Sequence, residues 1–190
     1  MNSNTFLIKN ARIIDSRGTT KGDILISEGK IANVGKLEAN NGEYVIEAEG
    51  LIVAPGLVDI QVHLREPGFE QSEDIETGAR ASAVGGMTAV QCMPNTNPCI
   101  DNVETFLDVQ NRSKNALVDV FVSSAITKNR ASEEVVDFDA LYSAGARTFT
   151  DDGDCVKTAR LMRTAIESLS KYDNCVLAQH CEDHSLVHDG

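Results

Sequence analysis

Two histidines and one aspartate in this sequence are of the residue types that bind divalent metal ions. His63, Asp152 and His180 are far apart along the chain, and each closely follows a run of apolar, strand-like residues. Two imidazoles and one carboxylate from three strand ends suit zinc or a similar ion. A single histidine in an apolar strand is more often a hydrogen-bonded core residue. The metal site is therefore predicted only if the fold brings the three strand ends together.

The first histidine has an unexpected neighbour. The stretch GLVDIQVHLREPG contains Gln61-x-His63, where a metal-dependent hydrolase often has His-x-His. Side chains alternate along a strand, so Gln61 and His63 share one face. The amide oxygen of Gln61 is either a weak metal ligand or a hydrogen-bond partner of a metal-bound water.

Two further side chains are suited to binding an anion. Arg65 offers two parallel donors to a carboxylate, and Asn95, in a proline-flanked turn, offers an amide donor and an acceptor. The alternatives are a surface ion pair of Arg65 with Glu66 or Glu70, and a turn-forming role for Asn95.

Several polar residues beside these candidates are given lesser roles. Asp151 either caps the helix that follows or supports its neighbour Asp152. Cys181, although next to His180, does not share its strand face and is not predicted to be a nucleophile. The remaining side chains near the end of the sequence are predicted to be helix-starting acids or solvent-exposed histidines: Glu182, Asp183, His184 and His188.

After Ala54-Pro55-Gly56, apolar runs alternate with helix-length amphipathic segments. This alternation predicts a parallel sheet with right-handed crossovers, either an open doubly wound sheet or a (β/α)₈ barrel of the TIM type. No G-x-G-x-x-G or P-loop favours a nucleotide-binding open sheet. In a barrel, the polar residues after the strands meet at the C-terminal face. The predicted strands are 57–63, 87–92, 117–123, 146–150 and 174–179, and the predicted helices are 72–84, 101–113, 133–144 and 156–171.

The residues before this alternation show a different pattern of predicted elements. Residues 1–54 contain short strand-like runs separated by Gly and Asn, which predicts a small β-sandwich module. Residues 55–190 supply about five strand–helix units, whereas a complete barrel has eight. The sequence is therefore predicted to be the N-terminal part of a longer α/β protein, with a partial barrel after the β module.

Composition and charge limit the classes of function. The net charge of −12 argues against a nucleic-acid or anionic-membrane surface, and it means that an anionic substrate needs a local cation. No apolar run is long enough to span a membrane. The five cysteines are scattered without a C-x-x-C pair, which is typical of free thiols in a reducing compartment. Because the N-terminus also lacks signal-peptide features, a cytoplasmic protein is expected.

Four motifs resemble those of one enzyme family. Pro55-Gly56-Leu57-Val58-Asp59 with His63-Leu64-Arg65-Glu66-Pro67-Gly68 is similar to the first-strand motif of class I dihydroorotases, in the amidohydrolase superfamily. The next three motifs follow in the family's order and at roughly its spacing, and the resemblance extends over essentially the whole sequence. They are Cys92-Met93-Pro94-Asn95-Thr96-Asn97-Pro98, Phe149-Thr150-Asp151-Asp152-Gly153 and His180-Cys181-Glu182-Asp183.

The resemblance implies a reaction and a set of roles. The reaction is the reversible cyclisation of N-carbamoyl-L-aspartate to dihydroorotate, the third step of pyrimidine biosynthesis, with one or two Zn²⁺ ions per chain. His63, Asp152 and His180 correspond to metal ligands, and Arg65 and Asn95 correspond to residues that hold the substrate carboxylate. A further histidine ligand and the proton-shuttle aspartate are expected beyond Gly190, so the 190 residues alone are predicted to be inactive.

Gln61 departs from the family pattern, which has histidine at this position. Two interpretations follow. In one, the enzyme works with the second metal alone, held by Asp152, His180 and a later histidine, and Gln61 orients a water. In the other, the protein is a catalytically inactive relative that serves as a structural partner of aspartate carbamoyltransferase. The working enzyme is favoured by the retained site residues His63, Arg65, Asn95, Asp152 and His180. A homodimer or an association with aspartate carbamoyltransferase is the expected assembly.

Overall fold

The chain consists of two compact units. A computed structural model describes residues 5–183 and 186, so the predictions for His184 and His188 lie outside the described residues. The boundary between the units falls between Pro55 and Gly56. Each unit has its own sheet and its own buried cluster.

The first unit is built on one mixed five-stranded sheet. The strands are ordered β3-β2-β1-β4, with β5 also paired to β1. The β1–β2 and β2–β3 pairs are antiparallel, whereas β4 and β5 run parallel to β1. The second sheet of a sandwich is not among the described residues of this unit. The strands are β1 (Thr5–Asp15), β2 (Gly18–Ser27), β3 (Lys30–Gly35), β4 (Tyr44–Glu47) and β5 (Ile52–Val53).

One long strand replaces two predicted short ones. Two of the short strand-like runs in the sequence, residues 5–8 and 11–14, are both part of β1, and a β-bulge between Ile8 and Ala11 interrupts its register with β2. Asn10 lies in the bulge with φ 61°, and the carboxylate of Asp23 accepts its backbone N–H at 2.8 Å. The bulge explains why the sequence pattern breaks while the strand continues.

The second unit contains a five-stranded, fully parallel sheet that forms half of a (β/α)₈ barrel. The strands are ordered β10-β9-β8-β7-β6, so each lies beside its neighbour in sequence. This arrangement confirms the predicted barrel topology and brings the C-terminal ends of all five strands to one face. The strands are β6 (Leu57–Val62), β7 (Met87–Cys92), β8 (Asp119–Ser124), β9 (Thr148–Thr150) and β10 (Val176–Ala178).

The helices alternate with these strands and begin at side-chain caps. Asp74, Asn102, Asp137 and Thr158 each accept a backbone N–H from the first turn. No helix within residues 5–183 and 186 is long and apolar enough to cross a membrane. The helices are α1 (Ile75–Val84), α2 (Val103–Arg112), α3 (Phe138–Ala144) and α4 (Ala159–Leu169), with short 3₁₀ turns at Ser113–Asn115 and Lys128–Arg130.

The main core of the second unit lies where helices pack on the parallel sheet. Phe149 of β9 is completely buried and meets the ring of Phe138 edge to face, with 5.1 Å between ring centroids. Burying a side chain of this size stabilises the fold by roughly 2–3 kcal/mol. Since β9 ends at Thr150, this packing fixes the strand immediately before Asp152. Other buried members of the cluster are Phe106, Val109, Val122, Ile126, Leu141, Ala165 and Leu169.

Candidate active site

Four strand ends bring the predicted metal-binding and substrate-binding side chains to one place. His63 directly follows β6, Asn95 follows β7, Asp152 follows β9 and His180 follows β10. The carboxylate of Asp152 lies at the centre and is only 4% exposed. The convergence at the C-terminal face is the arrangement that a barrel predicts.

The two imidazoles face different oxygens of Asp152. His63 Nε2 lies 3.4 Å from Oδ2, and His180 Nε2 lies 3.1 Å from Oδ1. The backbone N–H of Gly153 also points to His180 Nε2, at 3.3 Å. Asp152 therefore bridges the two histidines, one through each oxygen.

The orientation of His63 leaves an unusual pair of atoms facing each other. Its Nδ1 lies 2.9 Å from Asn95 Oδ1, an acceptor, so Nδ1 carries the proton in the neutral ring and Nε2 presents its lone pair. That lone pair points at Asp152 Oδ2, which is buried and has no hydrogen-bond partner among the described residues. Two acceptors placed this way need a proton or a cation between them.

Gln61 contacts Asp152 as a donor. Its Nε2 lies 2.5 Å from Asp152 Oδ1, the oxygen that His180 also faces. The hydrogen-bond network thus orients the amide nitrogen, and not the oxygen, toward the carboxylate. In this arrangement Gln61 donates to Asp152 and holds the carboxylate in place, and its role toward a metal ion stays a prediction.

The donor set fits a divalent cation, although it is incomplete. Among residues 5–183 and 186, no group of three or more His, Cys, Asp or Glu side chains is arranged to hold a metal ion. Each imidazole instead forms a pair with one oxygen of Asp152. Imidazole nitrogen and carboxylate oxygen are ordinary zinc ligands, and the unpartnered Oδ2 of Asp152 matches a cation position. Each histidine–aspartate pair supplies only two donor atoms to a cation. The remaining coordination positions are left to water, substrate or other protein groups.

Asp151 has a separate task. Its Oδ1 accepts the backbone N–H groups of Ile126 (2.8 Å) and Thr127 (3.0 Å), and its Oδ2 accepts the Thr127 hydroxyl (2.5 Å). The helix that follows is capped by Thr158, so neither aspartate caps it and that alternative was wrong. Asp151 instead ties the end of β9 to the loop after β8, which supports the position of Asp152.

Arg65, the other predicted substrate-binding residue, follows His63 by two positions in the loop after β6. It is half-buried, its backbone has φ 60°, and its guanidinium makes no hydrogen bond or ion pair with any described residue. Glu66 pairs with Arg112 at 2.8 Å, and Glu70 accepts the N–H of Gly68, so the predicted alternative of a surface ion pair for Arg65 is wrong. The guanidinium remains available to a ligand.

A cavity of about 290 Å³ adjoins the cluster, and its lining includes Gln61, Met93, Asp152 and His180. That volume is close to the roughly 300 Å³ at the lower end of small-molecule sites. A larger cavity of about 570 Å³ is lined by acidic and basic residues around Glu66 and includes none of the cluster side chains. Proximity to the reactive groups makes the smaller cavity the better candidate.

The thiols of Cys92 and Cys99 are held in the neutral form. Burial raises the pKa of Cys92 to about 11 and, together with the charge of Asp101, raises the pKa of Cys99 to about 12. Both side chains therefore stay protonated near neutral pH.

One residue near the site was missed by the sequence prediction. Arg130 follows β8, and its guanidinium lies beside Asn95 and Gly153. The signal was present, because Lys128-Asn129-Arg130 is a polar run after a strand end like the four runs that were recognised.

Comparison with known proteins identifies one family. Residues 50–190 match the model of a family described as dihydro-orotase-like. The chain is 45% identical to the dihydroorotase of Bacillus subtilis (strain 168) over 188 residues, which are 98% of this chain and 44% of the relative. It is 47% identical to the dihydroorotase of Clostridioides difficile (strain 630) over 184 residues, covering 95% of this chain and 44% of that protein.

Solved structures share the fold. The L-hydantoinase (dihydropyrimidinase) of Arthrobacter aurescens superposes with a TM-score of 0.80 over 96% of this chain and 42% of its own, at 22% identity. The chain thus spans less than half the length of the relatives it matches. A family match over residues 50–190 and these identities establish that the chain belongs to the dihydroorotase-like family.

Proposed function

We propose that the protein containing this chain is a zinc-dependent dihydroorotase, which reversibly hydrolyses the cyclic amide of dihydroorotate to N-carbamoyl-L-aspartate in pyrimidine biosynthesis. The observation that carries the proposal is the convergence of His63, Asp152 and His180 in a chain 45% identical to a protein of that name. Because the relatives are more than twice as long, the remaining metal ligand and the proton-shuttle aspartate would come from residues outside this chain.

The residues present would divide the work between holding the metal and holding the substrate. His63, Asp152 and His180 would hold the metal, with His63 beside Oδ2 and His180 beside Oδ1 of the carboxylate. A bound Zn²⁺ lowers the pKa of a coordinated water and polarises a carbonyl group. Arg65 and Asn95 would hold the substrate carboxylate, the former as a local cation that a chain of net charge −12 requires.

The hydrogen bond from His63 to Asn95 gives the asparagine a second role. With Oδ1 engaged by the imidazole, only the Nδ2 hydrogens of Asn95 are free for a substrate acceptor. The same bond holds His63 with its Nε2 toward the metal position, as bonds to the second nitrogen of ligand histidines commonly do. The side-chain amide of Asn95 thereby couples the position of the substrate to the orientation of the metal ligand His63.

The proposal extends to location and partners. A cytoplasmic enzyme that is a homodimer or associates with aspartate carbamoyltransferase is consistent with free cysteines and with the family. If the protein were instead the catalytically inactive relative, its site residues would no longer need to bind a metal or a substrate. The buried, unpartnered Asp152 Oδ2 argues for the working enzyme, because such an atom costs roughly 1–3 kcal/mol unless a cation or proton meets it.

The test measures dihydroorotate ring opening and metal content on the full-length protein. Asp152→Asn is expected to lower kcat/KM roughly 1,000-fold, since losing the ligand removes several kcal/mol of metal assistance. Asp108→Asn, an exposed carboxylate on α2, is the matched control and should retain activity.

The metal content of the unaltered protein resolves the role of Gln61. About one zinc per chain with turnover would identify a single-metal enzyme, and two would show that Gln61 permits a second ion. Neither zinc nor turnover would refute the proposal and favour the structural partner of aspartate carbamoyltransferase.

A further inference from the structure

Arg65 lies at the centre of a three-residue turn that begins directly after His63. The backbone N–H of Glu66 donates to the carbonyl of Leu64 at 2.7 Å, and Arg65 between them has φ 60°. A γ-turn whose central residue has a positive φ is rare and strained. Strained backbone of this kind persists only where the surrounding structure holds it. The two neighbours of Arg65 show what holds this turn.

Leu64, on one side of Arg65, is fixed by packing. Its side chain is buried and belongs to the main core cluster of the second unit. It lies so close to α1 that a Cβ added to Gly78 would be 2.5 Å from Leu64 Cδ2. The lack of a side chain at Gly78 therefore lets the helix pack directly on the start of the turn.

Glu66, on the other side of Arg65, joins the loop to two helices. Its Oε2 accepts the N–H of Ile75, the first residue of α1, at 3.0 Å. Its Oε1 accepts Nη1 of Arg112, the last residue of α2, at 2.8 Å. Only 17% of the Glu66 side chain is exposed, so these bonds are shielded from most of the solvent that weakens a surface ion pair. One carboxylate thus ties the end of the turn to both helices.

Arg112 binds a second carboxylate in addition to that of Glu66. Its Nε donates to Asp108 Oδ2 at 2.8 Å, one helical turn earlier on α2. Asp108 is more exposed than Glu66, and an exposed pair at this spacing contributes little to stability. Both carboxylates therefore bind the same arginine, but only Glu66 belongs to the loop that carries Arg65.

We propose that Glu66 is a positioning residue for Arg65: by holding the loop after β6 against α1 and α2, it maintains the strained turn from which the Arg65 guanidinium reaches a ligand. The inference rests on the proposed function, in which Arg65 binds the substrate. Because no described residue binds the guanidinium itself, its position depends on the backbone of the turn. Loss of the Glu66 carboxylate releases that backbone, so substrate binding weakens while turnover of the bound substrate changes less.

The first test compares the two carboxylates that bind Arg112 in the full-length protein. Glu66→Ala is expected to raise KM for dihydroorotate about 10-fold with a smaller change in kcat, because the lost interaction supports binding and not the chemical step. Glu66→Gln keeps an oxygen for the N–H of Ile75 and should recover part of this loss. Asp108→Ala is the matched control, since it removes the other carboxylate and should leave KM unchanged.

A double-mutant cycle separates positioning of Arg65 from general stabilisation. If Glu66 acts through Arg65, Glu66→Ala should raise KM by less than about 2-fold when Arg65 is already alanine. The free energy of unfolding should still fall in both backgrounds. An undiminished rise of KM in the Arg65→Ala background would overturn the proposal, as would an unchanged KM in Glu66→Ala alone. If KM is too high to measure, kcat/KM is compared, and if Glu66→Ala fails to fold, Glu66→Gln replaces it under the same criteria.

The proposed function can fail separately. If the unaltered protein does not open dihydroorotate, hydrogen exchange of the backbone amides from Leu64 to Glu70 tests the turn without turnover. Faster exchange in Glu66→Ala but not in Asp108→Ala would support the role of Glu66. Equal exchange in the unaltered protein and in Glu66→Ala, or equal acceleration in both variants, would overturn it.

Discussion

Adjacent aspartates at the end of β9 perform different tasks because their side chains point in different directions. Asp152 faces two imidazoles and the amide of Gln61, whereas Asp151 faces the backbone of the loop after β8. The sequence predicted Asp152 as the metal ligand through the family motif. It left the task of Asp151 open, since the donors that Asp151 binds lie 24 and 25 residues away and come near only in the folded sheet.

The role of Asp151 predicts a graded loss of stability in the full-length protein. Asp151→Ala would leave two backbone N–H groups and a hydroxyl buried without their acceptor, so the free energy of unfolding should fall by roughly 3 kcal/mol or more. Asp151→Asn keeps an oxygen for the backbone groups and should cost about 1 kcal/mol. Urea denaturation measures both. Equal losses in the two variants would contradict the assignment of Asp151 as an acceptor for the loop.

Among the secondary-structure elements, sequence patterns were sufficient to predict the bounds of some but not of others. Strand β7 was predicted at its observed bounds, because a buried parallel strand is a short apolar run between glycines and a polar turn. The predicted helix 133–144 begins only at Phe138. Val135 pairs with Thr127 in an isolated antiparallel bridge, and Asp137 caps the helix. The cap was readable in the sequence, but the bridge depends on tertiary contacts.

The loops after β6 and β7 are joined, which explains how Arg65 and Asn95 keep their positions. The N–H of Asn97 donates to the carbonyl of Pro67 at 2.9 Å. Gly68, with φ 96°, lies so near this loop that an added Cβ would be 2.1 Å from the carbonyl oxygen of Asn97. The glycine is required for the close approach of two loops that carry candidate substrate ligands.

Replacing this glycine should separate the two loops. Gly68→Ala is expected to lower the free energy of unfolding by about 3 kcal/mol and to raise KM for dihydroorotate, because the loops must move apart. Gly86→Ala is the matched control: its φ is 84°, but an added Cβ meets nothing within 4 Å. It should cost only about 1 kcal/mol for backbone strain and leave KM unchanged. Urea denaturation and steady-state kinetics test both variants, and equal effects would argue against the close approach.

At the scale of the whole molecule, the pattern of strand-like and helix-like segments predicted how the chain divides into units. The change from short punctuated strands to strand–helix alternation at Ala54-Pro55-Gly56 predicted a division close to the boundary between the two compact units. The order of the parallel strands followed from right-handed crossovers between neighbours. The pairing of β4 and β5 with β1 in parallel could not be read in this way, because nothing local specifies which distant strand a short segment joins.

The half-barrel predicts how the 190 residues behave when produced alone. Strands β6 and β10 each pair on one side only within the described sheet, and unpaired strand edges promote association between chains. Large apolar side chains are also exposed on these strands and on β8, which adds hydrophobic surface that association would bury. They are Leu57 (57%), Val58 (60%), Ile60 (78%), Phe121 (57%) and Val176 (56%).

We therefore expect the chain alone to self-associate and to lack dihydroorotate turnover. Size-exclusion chromatography with light scattering should give a mass above that of one chain. Ile60→Lys should reduce this mass, because it places a charge on the open edge strand β6. Ile31→Lys, a similarly exposed position in the first unit, is the control and should not reduce it. A monodisperse, active monomer, or an equal effect of the two lysines, would show that the open half-barrel does not drive association.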